Sequence, residues 1–151
     1  MIRLSQLSFA FFIFIFCGLS HADVYKTLTN KDYEIDFSKP DKPVVLIAWA
    51  SWCGYCMKEI PHLKAERVEH PGFIWLGLNV NKTPEDGLKV EVERNLPWPS
   101  LRDPDLIIGD RFDVRGTPTL IVLNASGEAV FRGRRVDDDF KDALDSLQTE
   151  R

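Results

Sequence analysis

The side chains best suited to chemistry in this sequence are the thiols of Cys53 and Cys56, separated by Gly54 and Tyr55. Two thiols at this spacing can close a small disulfide ring. One thiolate can attack a foreign disulfide while the other resolves the mixed disulfide that forms. Cys53 opens a stretch with helical patterning, and the unpaired N–H groups and partial positive charge of a helix start favour thiolate over thiol. Two plainer readings stand beside this one. As a staple, the pair closes almost no loop and constrains the unfolded chain little. As half of a zinc site it lacks partners, since His62 and His70 follow at spacings that match no zinc pattern and read as surface groups.

The elements that must position the pair are legible around it. Val44 to Trp49 (VVLIAW) is a continuous apolar run rich in β-branched residues, as in a strand buried on both faces. From Gly54 to about His70 the pattern is helical, with Cys56, Ile60, Leu63 and Arg67 or Val68 on one face, and His70-Pro71-Gly72 stops it. Phe73 to Val80 reads as a second buried strand. Thr83-Pro84-Glu85-Asp86 reads as a helix start with a capping hydroxyl, a first-turn proline and acids that suit the helix dipole. Leu88, Val92 and Leu96 mark its apolar face. Leu106 to Val114 reads as a short irregular or helical segment, and Thr119 to Leu123 as a third apolar strand. Asn124 to Gly127 turns into a strand at Glu128–Arg132, and Asp137 caps a last helix facing inward through Phe140, Ala143, Leu144 and Leu147. Residues 23–43 are polar, with one short strand at Tyr33–Phe37. A βαβ half followed by a ββα half predicts an α/β fold with a central mixed sheet flanked by helices on both faces.

Composition sets the outer bounds. The 151 residues, 44% hydrophobic and 28% charged, fit one globular domain. A net charge of −4 offers no basic surplus for a phosphate backbone, so nucleic acid is not an expected partner. Residues 1–22 have the three parts of a secretory signal peptide: a positive start at Arg3, a 13-residue mostly apolar run from Leu7 to Leu19, and small residues at Ser20 and Ala22 before a cut at Asp23. An uncleaved membrane tether is the rival reading, although the run is shorter than the roughly 20 residues of a spanning helix. Taking 22 residues from 151 leaves a domain at 23–151, and only Cys53 and Cys56 remain of the three cysteines. An exported chain with one close pair belongs where disulfides persist.

The run Trp49-Ala-Ser-Trp-Cys-Gly-Tyr-Cys56 resembles the active site of the thioredoxin superfamily, WAxWCxxC. Pro61 matches the proline within that family's active-site helix, and Arg115-Gly-Thr-Pro-Thr119 resembles the loop whose cis-proline faces the cysteines. The likeness covers most of residues 37–148. The signal segment, the Cys-x-x-Cys-x-x-Glu run ending at Glu59, and Asp103-Pro-Asp105 ahead of Pro118 make it most similar to the exported TlpA/ResA/DsbE-type reductases. That resemblance implies a thioredoxin-like fold and a thiol–disulfide oxidoreductase that needs no cofactor or metal beyond the Cys53–Cys56 disulfide. It also implies a monomer in the periplasm, reducing protein disulfides, among them those of apocytochrome c before haem attachment, with electrons from a membrane donor of the DsbD or CcdA type.

On this reading Cys53 is the nucleophile and Cys56 the resolving thiol. Cytoplasmic thioredoxins carry a buried aspartate six residues before the first cysteine, where this chain has Ile47, so Glu59, one turn after Cys56, is the replacement proton acceptor. Its plain reading is a solvated glutamate. Thr117 and Pro118 form a substrate platform: proline has no N–H to leave unsatisfied beside a thiolate, and the neighbouring backbone can pair with an extended segment. Trp52, Gly54 and Tyr55 form the rim, while Trp49 is core. The dipeptide Gly54-Tyr55 resembles that of DsbC-type isomerases, which keeps a disulfide isomerase or oxidase as the enzymatic alternative. A copper chaperone using both thiols as soft ligands is the alternative of another class. Asn81-Lys-Thr83 and Asn124-Ala-Ser126 match glycosylation acceptor patterns, with no functional reading attached.

Overall fold

The computed structural model describes residues 22–149. The signal segment therefore falls, except for Ala22, outside the described residues. A five-stranded sheet in the order β5-β4-β3-β6-β7 forms the centre. Its strands are β3 (Val44–Trp49), β4 (Ile74–Asn79), β5 (Ser100–Arg102), β6 (Thr119–Leu123) and β7 (Ala129–Gly133), while β1 (Asp23–Lys26) and β2 (Asp32–Ile35) make a separate antiparallel hairpin. β4 runs parallel to β3 and β5, and β6 runs antiparallel to β3 and β7. The predicted mixed sheet is borne out.

Every residue of β3 and β6 is buried, because both faces of the sheet are covered. On one face Val45, Ile47 and Trp49 pack with Leu63 of α1 (Gly54–Glu69) and with Phe140 and Leu144 of α4 (Asp138–Thr149). Leu88 and Val90 of α2 (Pro84–Glu93) pack against the same cluster. On the other face Leu46, Ala48, Leu76 and Leu78 meet Ile108 of the short α3 (Ile107–Arg111), and Phe37 and Phe112. The parity of β3 thus splits its side chains between two apolar layers, as a strand period of two requires.

Several elements differ from expectation. β1 and β5 are strands that the pattern does not predict. β5 has only three residues and takes its place by parallel pairing with Gly77–Asn79. The N-terminal strand spans Asp32–Ile35, not Tyr33–Phe37. α2 ends at Glu93, short of Leu96, and Val92 is 71% exposed. The helix instead presses Gly87 inward: a Cβ there would sit 2.6 Å from the Asn79 side chain, so only glycine lets α2 approach the end of β4. Thr83 occupies the N-cap of α2 but its hydroxyl makes no capping bond. His70 is not a surface group. It is 4% exposed at the C-cap of α1, with Nδ1 2.9 Å from the Glu66 carbonyl oxygen and Nε2 3.0 Å from Asp145 Oδ1 on α4. His62 is exposed as expected.

Candidate active site

β3 delivers the chain to the site and α1 carries it away. After Trp49 the backbone turns through Ala50, Ser51 and Trp52, with the Cys53 N–H donating to the Ala50 carbonyl at 3.1 Å. Cys53 is the N-cap of α1, in extended conformation, and its Sγ accepts the Cys56 N–H at 3.2 Å. The sulfur therefore stands where a helix N-cap oxygen stands and receives one of the helix's unpaired N–H groups. A thiolate formed there gains both that bond and the helix dipole. Cys53 and Cys56 are joined as a disulfide, with Cα atoms 5.3 Å apart. In this oxidised form both are nearly covered, at 5% and 3% exposure, so position on the helix distinguishes them more than exposure does. Trp52 and Tyr55 stand out at 70% and 73% exposed, forming the rim, while Trp49 is core at 2%.

Two residues with no functional reading in the sequence, Asn79 and Asn81, hold this turn. Asn81 is buried, and its Oδ1 accepts the Ser51 N–H at 2.9 Å and the Asn79 Nδ2–H at 3.0 Å. Its Nδ2 donates to Ser51 Oγ at 2.7 Å, and its own N–H donates to Asn79 Oδ1 at 3.2 Å. The end of β4 thereby clamps the turn before Cys53. The glycosylation pattern at Asn81 was the one signal there, and it pointed elsewhere. Asp103 acts similarly beside this clamp: its N–H donates to the Asn79 carbonyl at 2.8 Å, and its buried carboxylate accepts the Ile108 and Gly109 N–H groups at 2.9 and 2.7 Å and fixes the start of α3.

Beneath Cys56 lies an apolar cavity of about 10 Å³, near the lower limit for a single water. Ile47, Trp49, Cys56, Glu59, Leu96 and Pro118 are among its walls. Ile47 brings no titratable group to it, and Glu59 is the one carboxylate on its lining. Glu59 is half-buried, and its Oε2 accepts the Val136 N–H at 2.8 Å. It also lines an outer groove of about 380 Å³ with Tyr55, Pro118, Arg134 and Arg135. Glu59 thus spans from the cavity wall beside Cys56 to the outer groove. The Thr117–Pro118 bond is cis, and Pro118 borders both the cavity and the groove. The Thr117 carbonyl accepts from Arg134 Nη2 at 3.0 Å, a contact absent from the sequence reading. The structure therefore brings Cys53, Gly54, Tyr55, Cys56, Glu59 and Pro118 to one place, with Thr117 and Trp52 along a second groove beside Gly116. Among the described residues no group of three or more His, Cys, Asp or Glu is placed to hold a metal ion.

The profile of the AhpC/TSA family matches residues 20–131, well over half of the chain. The chain belongs to the AhpC/TSA family. This AhpC/TSA protein is 39% identical over 72 residues to a thioredoxin of Streptomyces clavuligerus, covering 47% of this chain and 66% of that protein. It is 33% identical over 92 residues to the thiol-disulfide oxidoreductase ResA of Halalkalibacterium halodurans, covering 59% and 52%. The matches thus span between half and two thirds of these relatives' own lengths. Its fold is similar to that of a secreted Mycobacterium tuberculosis disulfide oxidoreductase homologous to E. coli DsbE, with TM-score 0.69, 21% identity and coverage of 86% and 96%. The expected thioredoxin-like fold of TlpA/ResA/DsbE type is borne out.

Proposed function

We propose that this protein is an exported thiol–disulfide oxidoreductase that reduces protein disulfides. The observation that carries this reading is the Cys53 sulfur at the N-cap of α1, bonded to the Cys56 N–H and to the Cys56 sulfur. In the reduced protein Cys53 thiolate attacks a substrate disulfide. A Cys53–substrate disulfide forms and one substrate thiolate leaves and takes up a proton. Cys56 then loses its proton and attacks Cys53 Sγ. The Cys53–Cys56 disulfide re-forms and the second substrate thiolate departs, so two electrons and two protons have passed to the substrate. Glu59 is the proposed acceptor of the Cys56 proton. Thr117 and Pro118 seat the substrate chain, with Trp52, Gly54 and Tyr55 around it.

Residues 1–22 are the proposed export address, or tether, and 23–151 the working domain, active as a monomer in the periplasm. The resemblance of the Cys53–Cys56 and Pro118 motifs to the TlpA/ResA/DsbE-type reductases implies a substrate such as apocytochrome c and a membrane donor of the DsbD or CcdA type. The Gly54-Tyr55 dipeptide favours isomerase or oxidase as the second reading. Equilibration with glutathione tests direction. A potential near thioredoxin's roughly −270 mV is expected, and a value above about −180 mV, the region of disulfide isomerase, would move the protein to the second reading.

A further inference from the structure

The outer groove beside Tyr55 and Pro118 has a chemistry that disulfide exchange alone does not call for. Of its five lining residues two are arginines and one is a glutamate. The Glu59 carboxylate is already bonded to the Val136 N–H. Arg135 is paired with Asp137 at 3.3 Å. Nearby arginines are likewise neutralised, two by two carboxylates: Arg115 pairs with Asp113 at 2.6 Å and Asp110 at 3.7 Å, and Arg132 with Asp113 at 3.7 Å. Arg134 differs. Its Nη2 holds a neutral acceptor, the Thr117 carbonyl, and no carboxylate among the described residues pairs with it. Lys58 brings a further cation to this rim, its Nζ 5.1 Å from the Tyr55 ring centroid. A bond from a neutral N–H leaves Glu59 its charge, so Arg134 and Lys58 stand against one carboxylate and give this rim a net positive charge in a protein of net charge −4.

A guanidinium is a planar fork of five donors suited to carboxylates. One of Arg134's N–H groups is engaged by Thr117, the residue that precedes Pro118, and the rest remain for a ligand. We propose that the groove selects polypeptide disulfides with an aspartate or glutamate within roughly three residues of the reacting cysteine, the ~10 Å that such a stretch of extended chain covers. Arg134 grips that carboxylate and, through its bond to Thr117, sets the register of the segment across Pro118. Because the net charge of the whole protein repels acidic partners at long range, the preference is a contact effect at the groove and not one of general steering. It rests on the exchange reaction proposed above and adds the substrate class.

The test uses the reduced protein and three peptides of one sequence, each with its single cysteine linked to 2-thiopyridine and flanked by aspartate, asparagine or lysine. Attack on the peptide sulfur expels thiopyridine, read by absorbance, and Cys56 then frees the peptide thiol. The aspartate peptide is expected to react about 3–10-fold faster than the asparagine peptide, and the lysine peptide slowest. In Arg134→Gln the aspartate-to-asparagine ratio should fall to about 1, and in 1 M salt, where the screening length is about 3 Å, the wild-type ratio should shrink. The ratio is internal to each variant, so a general loss of fold does not mimic the result. Equal rates on all three peptides, or a ratio preserved in Arg134→Gln, overturns the acidic preference alone. Release from none of them overturns the exchange reading with it.

Discussion

Glu59 Oε2 accepts the Val136 N–H at 2.8 Å, so the carboxylate one turn beyond Cys56 is tied to the segment that joins β7 to α4. This bond orients the side chain between the buried cavity and the outer groove. It also determines which substitution is informative. Glu59→Ala would leave a half-buried N–H without its partner, at a cost of about 1–3 kcal/mol. Glu59→Gln keeps an acceptor for Val136 and removes the negative charge and the group that could accept a proton. The expected outcome for Glu59→Gln is an intact fold with thiol–disulfide exchange slower by about 10–100-fold and an altered pH profile. Stopped-flow tryptophan fluorescence across the neutral range, with exposed Trp52 as reporter, measures it. An unchanged rate and profile would return Glu59 to a merely structural role.

Cys53 at the helix N-cap and Cys56 inside the first turn predict unequal behaviour of two serine variants. Cys56→Ser should accumulate mixed disulfides with substrate, seen as adducts on non-reducing gels and removed by dithiothreitol. Cys53→Ser should accumulate none. Comparable adducts in both variants would sink the assignment of nucleophile.

Asn81 makes three side-chain hydrogen bonds that hold the turn before Cys53. Asn81→Ala leaves the Ser51 N–H without that partner and should lower unfolding free energy by about 1–3 kcal/mol in urea titration. Asn81→Asp keeps the acceptor at Oδ1 and loses the donor to Ser51 Oγ, so its loss should be smaller. A neutral Asn81→Ala would mean the turn is held by other contacts.

Glu91 on α2 supplies a pH dependence of stability. Burial raises its carboxyl pKa above the ordinary 4.5, against the lowering effect of hydrogen bonds from Ser100. The folded state therefore holds this proton more tightly than the unfolded chain does. Stability from this group is complete below the ordinary carboxylate pKa and is lost as pH rises through the folded value. Glu91→Gln should match wild type in acid and become the more stable form as pH rises towards neutral. Because the side chain is only partly buried, solvent screening makes the gain modest, and its sign is the test. A variant that loses stability towards neutral pH would contradict it.

What the sequence disclosed and what it hid divide along physical lines. The Cys-Gly-Tyr-Cys spacing, the apolar runs of β3 and β6 and the Thr-Pro step are local signals, and each led to its element. β5 hid because three residues carry no periodicity and a strand that short exists only by pairing with β4. The inner side of α2 hid because apolar spacing suggested Val92, whereas contact with Asn79 turned Gly87 inward. His70 reads as a surface group in the sequence because Asp145, the partner that covers it from α4, lies 75 residues away and meets it only when α1 and α4 pack. Arg134 was invisible for the same reason, as its bond to Thr117 spans the β6–β7 hairpin.

The buried clasp of Asn81 has a practical consequence for how the protein is made. Asn81-Lys82-Thr83 fits the acceptor pattern for N-linked sugar, yet the amide nitrogen that would carry the sugar is the one bonded to Ser51 Oγ. In the folded chain it is out of an enzyme's reach, at 4% exposure. A eukaryotic secretory host attaches such sugars while the chain is still emerging, before β4 has closed on the turn. A glycan placed then would occupy the clasp's own donor and hold the turn before Cys53 open. Material from such a host should hold two populations at this position, one with Asn81 unmodified and the native turn and one with sugar on Asn81 and the cysteine pair poorly set, whereas a bacterial host without that modification yields only the first.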